Sequence, residues 1–384
     1  MTTKDIYYWS PFTSNVATIK AVINSAFSMQ KYSKANYKIS IINALGEWDK
    51  FSKNIESKRI KLLNLNNAKL LSNNNLDGYF KSRFIFIYIF IKSFFSLKQI
   101  LKMNNPNYLI IHLITSLPLF LFSIYKFNTK LILRISGLPK MNFVRKTFWK
   151  IALKNVYKIT CPTEATRKDL IKLNICESNK IYVLYDPIII LNEIVKKKKE
   201  KIDEKFNKDY FVSIGRLTNQ KNFSFLLNCF HKLIKKNDNL KLFIVGSGEE
   251  KNLLLKKIKE LNLSKNVEML GYINNVFPIL HKSKCFILSS LWEDPGFVLV
   301  EAAALNTQII SSDCKNGPYE ILDAGRGGFL YKTNSEEDFI NKLNNYYNNP
   351  HEINYKKKIV SKKKMRDFTL FNHYLNLRNI LEAK

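Results

Sequence analysis

Along nearly the whole chain, apolar runs of four to eight residues alternate with longer stretches of helical periodicity. A short apolar run bounded by turn residues reads as a buried strand, and apolar positions every three or four residues read as helix. In the first half DIYYWSPF, YKISIINAL, NYLIIHLI, KLILRIS, YKITCPT and KIYVLYD are predicted strands, and NVATIKAVINSAFSMQK is a predicted helix. The pattern fails near Asp186-Pro187, where LNEIVKKKKEKIDEKFNKD reads as a charged linker. A second series follows with YFVSIG, KLFIVGSG, NVEMLGY, CFILSS and TQIISSD. Its first four strands each precede a helical stretch, with Ser264 and Asn274 as expected caps. The tail FTLFNHYLNLRNILEAK has the pattern of one amphipathic helix. Two βα series predict an α/β protein of two doubly wound, Rossmann-like domains facing across a cleft. The expected bounds are 1–187, a linker at 188–207, a second domain at 208–365, and a terminal helix at 366–384 that packs back on the first domain.

Length agrees with two domains, since 384 residues exceed what one core usually serves. An apolar content of 46% excludes a disordered chain. The five cysteines are scattered, with no C-x-x-C, which fits a reducing compartment and no zinc or disulfide framework. The N-terminus, with Lys4 and Asp5, does not read as a signal peptide. Two segments approach the composition of a membrane span. FIFIYIFI, Phe84 to Ile91, is bounded by Arg83 and Lys92, and YLIIHLITSLPLFLFSIY is interrupted by His112, Thr115, Ser116 and Pro118. Spanning takes about twenty apolar residues, so these are expected to be a strand followed by a buried helix.

Charge changes the picture most. The net charge is +31, and residues 1–190 hold 29 Lys and Arg against 9 Asp and Glu. No acid occurs between Asp77 and Glu164. Such asymmetry predicts a polyanionic partner, either nucleic acid or an anionic membrane surface. KMNFVRKTFWKIALKNVYK sets Lys140, Arg145, Lys146, Lys150, Lys154 and Lys158 among Phe148, Trp149 and Ile151. A basic helix with an aromatic face suits the headgroup layer of an anionic bilayer, or the diphosphate of a polyprenol-linked molecule. No helix-turn-helix, RNA-recognition or zinc signature supports nucleic acid, so none is expected as a partner.

The chemistry-bearing residues cluster in the second half. WEDPGFVLVEAAA places Glu293 and Glu301 eight residues apart around a Pro-Gly break between a strand and a helix. In open α/β sheets ligands bind at such strand ends, and backbone N–H groups at the helix start favour anions. SIGRLTNQKNF puts Arg216 and Lys221 after a strand, beside Gly215, where an arginine fork and a lysine point charge can meet one phosphate. The glycines of Gly246-Ser247-Gly248 allow close backbone approach. There is no D-x-D pair, Walker loop or G-x-S-x-G elbow, and no recognisable metal site.

Taken in order, GRL…QKN, GSGEE, GYINN…L, SSLWEDPGFVLVEAAA and SSDCKNGPYEIL closely resemble the donor domain of the family 4 retaining glycosyltransferases, which have the GT-B fold. The resemblance is dense over residues 208–333 and looser in the first half, where YLIIHLITSLP, RISGLPK, CPTEAT and LYDPI resemble members that build bacterial surface polysaccharides and lipid-linked glycans. It implies a hexose-type transfer from a nucleotide-sugar, expected to be UDP-linked, to a glycan or polyprenyl-diphosphate-linked acceptor. Products of the lipopolysaccharide or O-antigen kind follow from the same likeness, as does a place on the inner face of the cell membrane.

By the same resemblance Glu301 accepts the ribose hydroxyls and Glu293 lies beside the donor sugar. Arg216 and Lys221 neutralise the diphosphate, while the N–H groups of Phe297 and Val298, after Gly296, bind phosphate oxygens. Gly215 and Gly246 belong to the donor loops, and no cofactor or metal is required. Three departures stand out. Asp294-Pro295-Gly296 replaces the usual Gly-Phe-Gly-like turn, SPFTSNVAT replaces an early Gly-Gly loop, and RISG offers Ser136 where many members have a histidine. His112 is then the one histidine candidate for the cleft, either catalytic or a hydrogen-bonded core residue. The alternatives are another GT-B enzyme, such as a nucleotide-sugar epimerase, or a basic nucleic-acid-binding protein.

Overall fold

A computed structural model describes residues 3–13, 17–66, 71, 79–138 and 142–383. The chain forms two units: Met1–Ile188 together with Leu370–Lys384, and Ile189–Thr369.

The first unit is built on seven parallel strands: β1 Lys4–Trp9, β2 Tyr37–Asn43, β3 Lys61–Asn64, β4 Tyr108–Ile111, β5 Lys130–Arg134, β6 Lys158–Cys161 and β7 Ile181–Val183. Their order is β3-β2-β1-β4-β5-β6-β7, so the topology reverses between β1 and β4. The register pairs Ile6 with Ile39 on one side and with Tyr108 on the other. A parallel sheet covered on both faces needs apolar residues on both, and the alternation supplies them. Ile6, Tyr8, Ile110 and Ile132 face the helices Ala17–Tyr32 and Leu370–Glu382, packing with Val22, Ala26, Met29, Leu377 and Leu381. Trp9, Leu109, Ile111, Leu131 and Leu133 face the opposite layer, with Ile89, Leu97, Leu117, Leu121 and Leu153.

The terminal helix is held by polar groups as well as by packing. Lys158 Nζ donates to the carbonyls of Ile380 (2.8 Å) and Ala383 (2.9 Å), which satisfies carbonyls left open at a helix C-terminus. Tyr108 donates to Leu381 O at 3.0 Å, and His373 bridges Tyr185 O and Ser25 Oγ. Lys158 is therefore buried and does not belong to the basic surface expected of residues 140–158. Lys140 lies outside the described residues.

The second unit carries β8 Phe211–Ile214, β9 Leu242–Val245, β10 Val267–Gly271, β11 Cys285–Leu288, β12 Gln308–Ser312 and β13 Phe329–Tyr331. They pair in the order β10-β9-β8-β11-β12-β13, and the topology reverses between β8 and β11. Phe211, Leu242, Ile244, Cys285, Ile287 and Ile310 pack on one face against Phe223, Leu226, Phe230 and Leu254.

Four expectations need correction. β3 and β13 have no counterpart among the predicted strands; they are four and three residues long, too short for a visible alternation. Phe84 to Ile91 is not a strand but part of a 26-residue helix, Tyr79–Asn104, whose Arg83–Asn104 portion has the length and composition of a membrane-crossing helix. The expected linker, 188–207, is not a separate linker: from Ile189 on it belongs to the second unit, with a helix at Leu191–Lys197 and a 3-10 turn at Glu204–Asn207. Two apolar anchors explain it: Ile194 is buried, and Phe206 sits edge-on to Phe243 at 4.9 Å. Ser264 and Asn274 do not cap helices; the neighbouring Asn275 accepts from Phe277 N at 3.2 Å.

Candidate active site

The carboxyl ends of β8, β9 and β11 converge where the second sheet reverses, which is where an open α/β sheet binds ligands. After β8 the chain passes through Gly215 and the exposed Arg216 into the turn Asn219–Lys221. The loop after β9 lies directly on it: Leu217 N donates to Ser247 O at 2.9 Å, and Gly215 N to Val245 O at 3.0 Å. A Cβ at Gly246 (φ +148°) would stand 1.8 Å from Gly215 O, and one at Gly248 2.4 Å from Leu217 O. In this structure those two glycines serve the contact of one backbone with another.

The loop after β11 is stitched to the same turn. Leu291 N donates to Gln220 O (2.8 Å), Gln220 Nε2 to Trp292 O (2.9 Å), and Ser289 Oγ to Lys221 O (2.7 Å). This stitching brings Lys221 Nζ to 2.5 Å from Glu293 Oε1, and both side chains are largely buried. Ser290 Oγ donates to the same oxygen at 2.5 Å, and Ser312 Oγ holds Ser290 O at 2.7 Å. Glu293 is thus fixed from three elements. Its backbone N–H donates to Lys315 O, and Gly317 is needed there because a Cβ would lie 1.8 Å from Pro295 O.

Gly296, at φ +92°, turns the chain into the helix Phe297–Ala304. The left-handed conformation favours glycine. The half-buried Glu301 lies one turn into that helix, and Phe297 and Val298 form its first two positions. The structure therefore gathers Gly215, Arg216, Lys221, Gly246, Glu293, Gly296, Phe297, Val298 and Glu301 around adjoining loops of one unit. Ser290, Ser312 and the turn at Lys315 to Gly317 were not singled out from the sequence. The only sign was Ser290 standing three residues ahead of Glu293.

His112 belongs to the other unit, at the end of β4. Its backbone N–H donates to Trp9 O at 2.9 Å, and its Nε2 is 2.5 Å from Ser136 Oγ. Burial, aided by the Arg134 guanidinium, pushes the imidazole down to about 3. Arg134 pairs with Asp186 at 2.7 Å and donates to Leu184 O at 2.6 Å. Among the described residues no three His, Cys, Asp or Glu side chains gather as a metal site would require.

Residues 194–366 match the family described as glycosyl transferases group 1. An uncharacterized glycosyltransferase of Methanocaldococcus jannaschii is 35% identical over 250 residues, covering 60% of this chain and 62% of that protein. The N-acetylgalactosamine-N,N'-diacetylbacillosaminyl-diphospho-undecaprenol 4-alpha-N-acetylgalactosaminyltransferase of Campylobacter jejuni is 27% identical over 249 residues, covering 63% and 64%. The match thus spans less than two thirds of either relative's length. The Anabaena protein HepE, solved with UDP and glucose, superposes with a TM-score of 0.74 at 13% identity, over 99% of this chain and 100% of that one. That likeness shows the GT-B fold. The resemblance carried by the second-half motifs is borne out over residues 194–366, which match the group 1 glycosyl transferases.

Proposed function

We propose, from a group 1 glycosyltransferase domain at residues 194–366, that this chain is a retaining glycosyltransferase. It moves a hexose-type sugar from a nucleotide-sugar to a glycan or polyprenyl-diphosphate-linked acceptor during bacterial surface polysaccharide assembly. The observation that carries this reading is the convergence of Arg216, the Lys221–Glu293 pair and the N-terminus of the Phe297–Ala304 helix. Breaking the anomeric C–O bond leaves its electron pair on the departing diphosphate. Arg216, Lys221 and the helix N–H groups are the positive ends that meet that growing charge, and preorganised charges act strongly where water is excluded.

Glu293, anchored by Ser290 and Lys221, faces the donor sugar, and Glu301 takes the ribose hydroxyls. The acceptor hydroxyl attacks from the side the leaving group vacates, and its proton passes to a phosphate oxygen. With these cations in place the reaction runs without a metal. The UDP of the Anabaena complex supports a uridine donor, and the diphospho-undecaprenol in the Campylobacter relative's name supports a lipid-linked acceptor at the cytoplasmic membrane face. Two strand-end glutamates with two basic residues and a Gly-opened helix fit nucleotide-sugar chemistry better than the nucleic-acid alternative.

Thermal shift with UDP-, GDP- and dTDP-sugars in excess EDTA tests it. Saturating donor should stabilise the protein by about 3 kcal/mol at a hundredfold excess over Kd, with UDP-sugars acting best. No shift with any nucleotide, or one that needs added Mg²⁺ or Mn²⁺, overturns the corresponding part of the reading.

A further inference from the structure

We infer that the outer face of the first unit, formed by the helices Tyr79–Asn104, Ser116–Ile124 and Phe143–Leu153, inserts apolar side chains into the interfacial layer of an anionic phospholipid bilayer. The inference rests on the membrane location proposed above and names the surface that makes the contact.

The long helix has two opposite faces. Ile85, Ile89, Leu97 and Leu101 are buried in the core beneath the sheet. Phe84, Ile87, Ile91 and Phe95 follow the i, i+3, i+7, i+11 spacing of the opposite face, and are 73%, 58%, 64% and 75% exposed. At 1.5 Å per residue this ridge is roughly 16 Å long. It continues onto the next helix, where Phe120 packs on Phe90 with ring centroids 5.4 Å apart and Ile124 is half exposed. The third helix adds Phe143, Val144, Phe148 and Ile151, all more than half exposed. Ten large apolar side chains exposed on three helices of one layer are more than the singly scattered apolar residues of an ordinary surface, and mark an interaction face.

The charge around the patch selects the occupant. Arg83 and Lys92 lie on the first of these helices, Arg145, Lys146 and Lys150 on the third and Lys154 just past its end, in the interval that has no Asp or Glu. Cations bordering an apolar face match a layer with anionic headgroups outside and acyl chains within. A second copy of the chain would bring +31 against +31, which opposes self-association. Spanning is disfavoured too, although the long helix has the length for it. Its inner face belongs to the unit's core, so crossing the bilayer would strip Ile89 and Leu97 from the sheet. The helix therefore lies in the plane of the interface.

Co-sedimentation with vesicles of phosphatidylcholine and phosphatidylglycerol, against phosphatidylcholine alone, tests this in low and in 1 M salt. The wild-type chain should bind the anionic vesicles and keep a salt-resistant fraction. Replacing Phe84→Ser, Ile87→Ser, Ile91→Ser and Phe95→Ser together should lower salt-resistant partitioning by more than about tenfold, the order expected from losing buried aromatic and aliphatic surface. Unchanged UDP-sugar thermal shift in that variant separates this result from a failure of the donor site. As a gentler probe, Phe95→Trp should gain quenching by brominated lipids beyond that of the wild-type tryptophans. Equal binding by the quadruple variant in high salt, no added quenching, or exposed residues covered by a stable dimer in solution would overturn the proposal.

Discussion

The two units share one architecture and treat their strand ends in opposite ways. In the first, the polar groups at the carboxyl ends of β4 and β5 are sealed: Arg134 is spent on Asp186 and His112 on Ser136. In the second, Arg216 stays exposed, Glu301 half-buried, and a Gly-opened helix begins beside a buried lysine–glutamate pair. Both sheets reverse at a comparable point, so fold alone does not say which is chemically active. The difference lies in exposure: Arg134 and His112 are buried and paired, whereas Arg216 stays open to solvent beside the start of a helix. The first unit instead shows its unusual chemistry on its outer helices, where apolar and basic side chains face solvent.

Substitutions at the two cations of the second unit test this contrast most severely. Lys221→Ala should lower turnover by roughly 10²-fold or more, because the charge it meets grows in the transition state. It should also cost about 3 kcal/mol of stability, since it leaves Glu293 buried without its cation. Arg216→Ala should lower turnover to a similar extent with little change in melting temperature, because Arg216 is exposed. Steady-state kinetics beside thermal unfolding decides it. Equal stability of the two variants would show that the Lys221–Glu293 pair is not the strut it looks like, and normal turnover in both would remove them from the reaction.

A smaller effect is expected at Glu301. A ribose contact is present in ground and transition states alike, so Glu301→Ala should raise the donor KM by about tenfold and change kcat less. A kcat loss as large as that of Arg216→Ala would move Glu301 from donor binding into the chemical step.

Much of this site was legible in the sequence because its geometry is local. The spacing from Glu293 to Glu301 and the Pro-Gly break set one glutamate before a helix and the other one turn inside it. What was not legible depends on distant loops meeting. That Lys221 reaches Glu293 needs the stitching of Gln220 to Leu291 and Trp292, and Ser290 gains its role only there. Gly246 looked like a place for a ligand to approach, yet the nearest backbone is Gly215. The helix Tyr79–Asn104 escapes the sequence pattern for a different reason. It is apolar on both its core and its outward faces, so FIFIYIFI lacks the polar stripe that marks helical periodicity. β3 and β13 were lost to their length.

The least severe test concerns the sealed polar groups of the first unit. His112 and His373 line one cavity of about 30 Å³ with Tyr8, Ser25, Arg134 and Asp186. Burial pushes both imidazoles down to about 3, well under the value of about 6.5 in an unfolded chain. Between those values the unfolded state binds more protons, so stability rises with pH there and is lost as pH falls below 6.5. Glu47 acts in the opposite sense. Its carboxyl, pushed up to about 7 by burial, keeps its proton in the folded state and adds stability as pH falls from 7 toward 4.5. Within the first unit, which Trp9 and Trp48 report, two histidines against one carboxyl leave a net loss of about 1 kcal/mol per pH unit below 6.5. Asp294, pushed up to about 7 by burial, acts in the sense of Glu47 but belongs to the second unit. Urea unfolding followed by the buried Trp9 and Trp48 should show a lower midpoint at pH 5.5 than at pH 7.5. Glu47→Gln should make that dependence steeper, because it removes the opposing group. A midpoint that holds steady or rises on acidification would mean that these histidines take up protons in the folded unit, and that the strand ends described as sealed are open to water.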